Sequence, residues 1–177
     1  MAKGRIKFID VKYIKDNSII EGNVDDSLIS PVIYNTQILR IRSILGSDLY
    51  TRLQDDIKSL EENGTPIPAL YKTLLDDYIA PALLNWSVYE LLPYFKIKLT
   101  NKGTVSRDGE FSTPSDTTDV KWLSNRIKDF AELLSEDITR YLKSNTTDYP
   151  EYSSNLDCDD IKPSSNNFFG GTYFPDN

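Results

Sequence analysis

The segment from Leu74 to Leu92 is the most apolar stretch of the chain, and it limits the folds that the chain can adopt. A helix that is apolar over so much of its girth must be covered by other elements on several sides. We therefore predict a long central core helix, opened by the proline-rich residues 65–68. Pro81 lacks an N–H and clashes with the preceding turn, which predicts a kink near residues 77–81. Pro93 predicts a second bend or the end of the helix.

Two further helices are predicted before this segment. The first begins at residues 30–31, because serine caps free N–H groups and proline is tolerated at the first helical position. Gly46 ends it. The second helix is capped by Ser47 or Asp48 and stops at residues 63–64, an Asn-Gly pair.

After the central helix, residues 99–114 are polar and rich in turn signals. Asn-Lys-Gly and Asp-Gly sequences predict a protruding β-hairpin there, centred on residues 102–110. A fourth helix follows Ser115 or Asp116, with an amphipathic stripe about 25 residues long. The predicted core consists of Ile41, Leu45, Leu49, Leu53, Leu74, Tyr78, Leu83, Trp86, Leu123, Ile127, Phe130 and Leu134.

The two ends differ from this helical domain, which we place at residues 30–145. Residues 1–15 hold five basic residues and one acidic residue, whereas residues 145–177 hold one basic residue and six acidic ones. We predict an extended basic N-terminal arm over residues 1–29 and an extended acidic and aromatic C-terminal arm over residues 146–177. These opposite charges attract each other within or between chains, or the two ends are simply solvated.

Within the C-terminal arm, residues 149–152 (Tyr-Pro-Glu-Tyr) predict an anchored turn. Four aromatic side chains follow near the end of the sequence, and a solvated arm would gain nothing from exposing them. We expect this segment to dock on its own domain or on a neighbouring copy as an added strand. The aromatic residues are Phe168, Phe169, Tyr173 and Phe174.

The composition excludes several kinds of catalytic site. The chain of 177 residues has a net charge of −7, no histidine and one cysteine, Cys158. It therefore cannot form a histidine-containing triad, an imidazole-ligated zinc site or a CxxC site. No apolar run approaches the roughly 18 residues of a membrane span. We expect a soluble protein made in a reducing cytoplasm, without a membrane association.

Three acidic groups and one aromatic group are candidates for a ligand site. The pairs at residues 55–56 and 76–77 are more typical of solvated helix faces, because adjacent residues point about 100° apart. The cluster at residues 157–160 could hold Ca²⁺, but it lacks the glycine and glutamate of an EF-hand loop. Trp86, Tyr89 and Tyr94 form either a stacking surface or, more commonly, part of the core. We predict no cofactor, no metal and no enzymatic activity.

Several motifs of the central region resemble those of a known family. They are residues 45–50 (LGSDLY), 71–83 (YKTLLDDYIAPAL), 86–94, 98–103 (KLTNKG) and 149–152 (YPEY). Together these residues resemble the head–tail connector, or neck ring, proteins of tailed phages that infect Bacteroides, including crAss-like phages. The resemblance covers roughly residues 30–152.

The resemblance implies a mainly α fold of about four helices with a protruding hairpin. It implies a structural virion protein, made in the host cytoplasm, that forms a ring of twelve subunits. Such a ring docks beneath the portal protein, meets adjacent neck or tail ring proteins and surrounds the channel through which genomic DNA passes. The residues predicted to contact neighbouring subunits or the portal are Lys102, Arg107, Asp108, Phe168, Phe169, Tyr173 and Phe174.

Two other functions stay open on the sequence alone. One is a cytoplasmic helical binding module or regulator that uses the region from Trp86 to Tyr94 as a groove. The other is a metal hydrolase that depends on carboxylates alone, with Asp76 and Asp77 as ligands.

Overall fold

The computed structural model describes residues 5–20, 22–100, 103–106, 117–154 and 161–163. The described chain is mainly helical, as predicted. Its helical segments are α1 (Val11–Asn17), α2 (Asp26–Thr36), the π-helical turn π1 (Gln37–Ile41), α3 (Arg42–Leu45), α4 (Ser47–Asn63), α5 (Ala69–Thr73), the π-helical turn π2 (Leu74–Ile79), α6 (Ala80–Lys96), α7 (Thr117–Ser144) and α8 (Glu151–Ser154). None of the described helices is both long and apolar enough to cross a membrane.

Two short strands lie between α6 and α7. Strand β1 (Ile97–Thr100) pairs antiparallel with β2 (Gly103–Ser106), with Lys98 opposite Val105. The hairpin predicted over residues 99–114 is therefore not confirmed with those bounds, since the paired backbone lies at residues 97–106. Residues 107–116 lie outside the described residues. Pro93 does not end α6, which continues to Lys96.

The central segment contains a π-helical turn, π2, which overlaps the kink predicted near residues 77–81. In a π turn the hydrogen bond spans five residues, so Leu74 and Ile79 come onto one face, and both are fully buried. The same effect at π1 brings Thr36 and Ile41, five residues apart, onto one buried face. The wider turn of π2 lies immediately before Pro81, whose ring cannot be accommodated against a tight preceding turn.

The N-terminal residues do not form the predicted extended arm. Asp10 caps α1, its carboxylate accepting a hydrogen bond from the Tyr13 N–H at 2.6 Å. Ile14 is fully buried in the same core as the later helices, and this burial supplies the stability that so short a helix lacks by itself. Residues 11–17 are therefore helical and packed on the core, not extended.

A buried amide holds the segment that precedes α1. Gln37 accepts a hydrogen bond from the Phe8 N–H at 2.8 Å and donates to the Ile6 carbonyl at 3.2 Å. Its amide nitrogen also donates to the Tyr50 hydroxyl at 2.9 Å. The Gln37 side-chain amide thus pairs with the backbone of Ile6 and Phe8 as a peptide group would. These two residues are therefore held on the helical body.

Two of the predicted helix ends are confirmed, and one of the predicted starts is wrong. Gly46, with φ 81°, follows α3, and Gly64, with φ 67°, ends α4 in the left-handed region where glycine is favoured. The start predicted at residues 30–31 is wrong, because α2 begins at Asp26 after the Asp25 carboxylate, which accepts from the Ser27 N–H.

The core lies where α6 packs against α2 and α7. Of the residues predicted to form it, eight are confirmed as core members or as packed against it within the helices before α7. These are Ile41, Leu45, Leu49, Leu53, Leu74, Tyr78, Leu83 and Trp86. On α7 the fully buried residues are Ala131, Ile138 and Leu142, whereas Phe130 is exposed and was wrongly placed in the core.

Candidate functional site

The residues predicted to contact other subunits or the portal cannot be placed by the structure. Lys102, Arg107 and Asp108 lie outside the described residues. In the sequence, Lys102 comes between β1 and β2, and the other two follow β2. The segment 164–177, which holds Phe168, Phe169, Tyr173 and Phe174, also lies outside the described residues. The candidate site must therefore be sought among the surfaces that the structure describes.

The acidic pairs lie on helix faces beside basic residues. Asp56 forms an ion pair with Arg52 at 3.2 Å, and Asp76 forms one with Lys72, each one helical turn away. Within the described ranges, no group of three or more His, Cys, Asp or Glu side chains is arranged to hold a metal ion. The cluster at residues 157–160, with Cys158, lies outside those ranges.

Trp86 belongs to the core and does not line a groove. Its Nε1–H donates to the Ser135 Oγ at 2.9 Å, which joins α6 to α7. The Arg40 guanidinium lies over the indole ring, 4.2 Å from the centroid, and pairs with Glu90 at 3.1 Å. The indole is thus covered on that face by protein. Of the predicted stacking group, only Tyr94 is substantially exposed.

An open cleft separates the N-terminal segment from α4 and π2. Its lining mixes charges of both signs with apolar side chains, and several of its polar groups already have internal partners, such as Lys7, which donates to the Ser30 hydroxyl. We find no converging set of like-charged groups there that would select an ion or a cofactor. The charged residues of the lining are Arg5, Lys7, Asp10, Glu61 and Asp76.

A cluster of tyrosines fixes the turn that follows α7. Tyr149 is fully buried and donates its hydroxyl hydrogen bond to the Leu70 carbonyl at 3.1 Å. Its ring packs edge-on against Tyr71 and Tyr141 at 5.7 and 5.8 Å. The Tyr71 hydroxyl donates to the Glu151 carboxylate at 2.8 Å. The anchored turn is confirmed, and the predicted extended arm is wrong at residues 146–154.

Tyr71 and Tyr149 of this cluster are held in their neutral form. Burial, followed by the hydrogen bond to Glu151, raises the pKa of Tyr71 to about 12. Burial, followed by the contact with the Tyr141 hydroxyl, also raises the pKa of Tyr149. Neither phenol is a general base near neutral pH, so this cluster has a structural role in positioning the chain after α7.

The tyrosine cluster predicts a loss of stability at alkaline pH. Tyrosine in the unfolded chain titrates at a pKa of about 10, so the unfolded state loses protons first as the pH rises. The stabilising contribution is full below pH 10 and is lost between about pH 10 and 12. We expect the melting temperature of Tyr149→Phe to fall less steeply over this range than that of the unchanged protein. The same substitution at the exposed residue Tyr94, Tyr94→Phe, is the control. If Tyr149→Phe leaves the decline of melting temperature with pH unaltered, the prediction is wrong.

The most distinctive described surface is the outer face of α7, which we define as Trp122, Arg126, Phe130 and Leu133. Three large apolar side chains are exposed there, Trp122 by 68%, Phe130 by 48% and Leu133 by 51%. At 3.6 residues per turn these positions fall within an arc of about 80°, roughly opposite the buried Ala131 and Ile138. Helix α7 therefore has two apolar faces, of which only one packs on the core.

The one charged residue of the outer face of α7 is in contact with an aromatic ring. The Arg126 guanidinium lies over the Phe130 ring, 4.9 Å from its centroid. Further along the same helix, Arg140 pairs with Asp137 at 3.1 Å. The apolar pattern of the sequence did not predict this face. Phe130 fits the 3–4 spacing of the buried residues and was assigned to the core, although it lies at the edge of their arc. The spacing of Trp122 and Leu133, eleven residues apart, was the signal that could have revealed it.

Another exposed apolar residue, the aliphatic Leu39, lies on π1. Leu39 is 64% exposed, on the same side of the helix as the exposed residues Pro31 and Asn35. No charged side chain occurs at these three positions. The described surface thus exposes apolar side chains on both helices, three together on α7 and Leu39 beside Pro31 and Asn35 on π1 and α2.

One comparison with known proteins finds a match. The model of a family of unknown function, DUF6712, matches residues 41–162, about two thirds of the chain. The chain belongs to this family. The DUF6712 match includes α3 to α8, and so both the tyrosine cluster and the outer face of α7, whereas α1 and α2 precede it. No curated protein and no solved structure matches the chain significantly.

Proposed function

We propose that the protein is a structural virion protein, one subunit of a head–tail connector ring that docks beneath the portal. The proposal starts from the sequence motifs that resemble phage neck proteins, all of which lie between residues 45 and 152. The structural feature that supports this proposal most strongly is the outer face of α7. An apolar helix face of this kind, rimmed by polar residues, marks a surface that binds another protein.

Two unlike patches suit a ring better than a two-fold dimer. A two-fold interface places one patch against itself, whereas a closed ring needs one patch to meet a different patch on the next copy. The aromatic outer face of α7 and the exposed Leu39 of π1 differ in chemistry and lie on different helices. We propose a ring on this basis, and the resemblance implies that it has twelve copies.

The charge of the chain suits a channel through which DNA passes. A protein that holds DNA presents a concentrated positive face, because phosphate contacts dominate the affinity. Here the net charge is −7, and several basic residues of α4 and α7 lie in ion pairs with neighbouring acids, as in Lys58–Glu62 and Lys128–Glu132. A ring of such subunits would let genomic DNA slide without retaining it.

The contacts with neighbouring subunits, the portal and the adjacent neck or tail rings are proposed for two segments. One follows β1 and contains Lys102, Arg107 and Asp108, within the protruding hairpin that the sequence predicts. The other is the aromatic segment Phe168–Phe174. Each contains arginine or aromatic side chains, which are enriched at protein interfaces.

Electron microscopy of the purified chain with its cognate portal protein tests this function. We expect closed rings stacked coaxially on the portal, with a central channel. The portal must be included, because a ring whose subunits contact each other weakly closes only on its partner. A chain that stays monomeric and does not bind the portal would contradict the proposal and favour the cytoplasmic binding module.

A further inference from the structure

The outer face of α7 lacks a partner within the described chain. Trp122, Phe130 and Leu133 together present an apolar strip about 17 Å long at 1.5 Å per residue. The opposite face of the same helix is already used by the core. What covers the strip must therefore come from beyond the described residues or from another molecule.

We propose that the aromatic segment Phe168–Phe174 of a neighbouring copy docks on the outer face of α7. This inference rests on the proposed assembly of copies and adds the two surfaces that meet. The segment carries four aromatic side chains in seven residues, and Asp176 is the single charged residue of positions 164–177. An uncharged aromatic segment fits an apolar strip whose one charged member, Arg126, already lies over the Phe130 ring.

Other ligands fit the strip less well. Duplex DNA and anionic lipid surfaces both require clustered positive charge. On α7, Arg126 is engaged over Phe130 and Arg140 pairs with Asp137, so no such cluster forms along the strip. An aromatic ring, by contrast, can pack beside Phe130 and against the Arg126 guanidinium, which lies within 4.9 Å of the Phe130 centroid.

The chain is long enough to cross between subunits. Its last described contact is at Ile161, whose N–H donates to the Ser47 hydroxyl at 2.8 Å and whose carbonyl accepts from the Ser47 N–H at 2.9 Å. From Ile161, an extended chain reaches about 24 Å to Phe168 and about 44 Å to Phe174. Packed helices lie about 8–10 Å apart, so this reach spans a subunit boundary.

Docking on a neighbour explains both surfaces at once. If each segment covered the α7 face of its own chain, neither aromatic surface would remain for assembly. Exchange between copies instead makes the segment and the α7 face two unlike halves of one repeating contact. Such a heterologous contact, passed from copy to copy, is what closes a ring.

A complementation experiment with two full-length variants tests the proposal. The tail variant replaces Phe168, Phe169, Tyr173 and Phe174 with serine and keeps the α7 face. The face variant replaces Trp122, Phe130 and Leu133 with serine and keeps the aromatic segment. Quenching of Trp122 fluorescence by acrylamide is measured in the tail variant, and the contribution of the buried Trp86 is subtracted with a Trp122→Phe chain.

Addition of the face variant is expected to lower the quenching constant of Trp122 several-fold, in a saturable manner. The control is a chain that carries both sets of substitutions, which should leave the quenching constant unchanged. A lack of protection by the face variant would overturn the proposal. So would protection of Trp122 in the unchanged protein that persists on dilution, since this shows docking within one chain. Rings that the tail variant still forms on the portal would overturn this inference but leave the proposed function intact.

Discussion

Replacing Tyr149 with alanine is expected to lower the free energy of unfolding by about 4 kcal/mol, the range typical of a large aromatic removed from a core. The side chain is fully buried between Tyr71 and Tyr141, so its removal leaves a cavity that the neighbouring rings cannot fill. It also leaves the Leu70 carbonyl without the hydroxyl that donates to it. Chemical denaturation monitored by circular dichroism gives the free energy directly.

Tyr149→Phe is the matched control for this prediction. It keeps the ring and removes only the hydroxyl, so we expect a loss of about 1 kcal/mol. A Tyr149→Ala chain that unfolds at the same denaturant concentration as Tyr149→Phe would show that the ring does not anchor the turn. The position of α8 relative to α4 would then need another explanation.

The sequence indicated this anchor but not its geometry. A Tyr-Pro-Glu-Tyr turn after a long amphipathic helix predicts a fixed return of the chain, and the structure confirms it. The partners, Leu70 and Tyr71, lie nearly eighty residues earlier, and no local pattern identifies them. Contacts between distant parts of the chain depend on the packing of π2 beside α7.

The sequence reading failed where tertiary packing determines the local structure. Lysines among the residues of α1 favoured an extended arm, yet the burial of Ile14 and the cap at Asp10 stabilise a helix. Pro31 suggested a helix start although it lies in the second turn of α2. The π turns were missed because they add one residue to a turn and shift the apolar period only locally. Where glycine ends a helix by its own conformation, at Gly46 and Gly64, the prediction is confirmed.

Introducing aspartate at Phe130 and Leu133 together is expected to prevent ring closure while the subunit stays folded. Both side chains are about half exposed, so the charges remain hydrated in the isolated chain and cost little stability. In an assembled ring both charges would lose their hydration, and only the one at position 130 has a basic neighbour one turn away, Arg126, so closure would cost several kcal/mol at each interface. Sedimentation or imaging in the presence of the portal would show free subunits in place of rings.

The substitution Asn125→Asp is the control for this pair. It adds a negative charge to the same exposed part of α7 but lies outside the arc of the apolar strip. We expect rings to form normally. If the Phe130 and Leu133 double variant also assembles at normal occupancy, the outer face of α7 does not form a subunit contact.

The central claim is that copies of this chain close into a ring beneath a portal. Electron microscopy of the full-length chain with its cognate portal protein measures this directly. We expect closed, coaxial rings with a channel wide enough for duplex DNA and with the α7 helices at the contacts between subunits. Particles that contain only the portal, with the chain free in solution as a monomer, would contradict it.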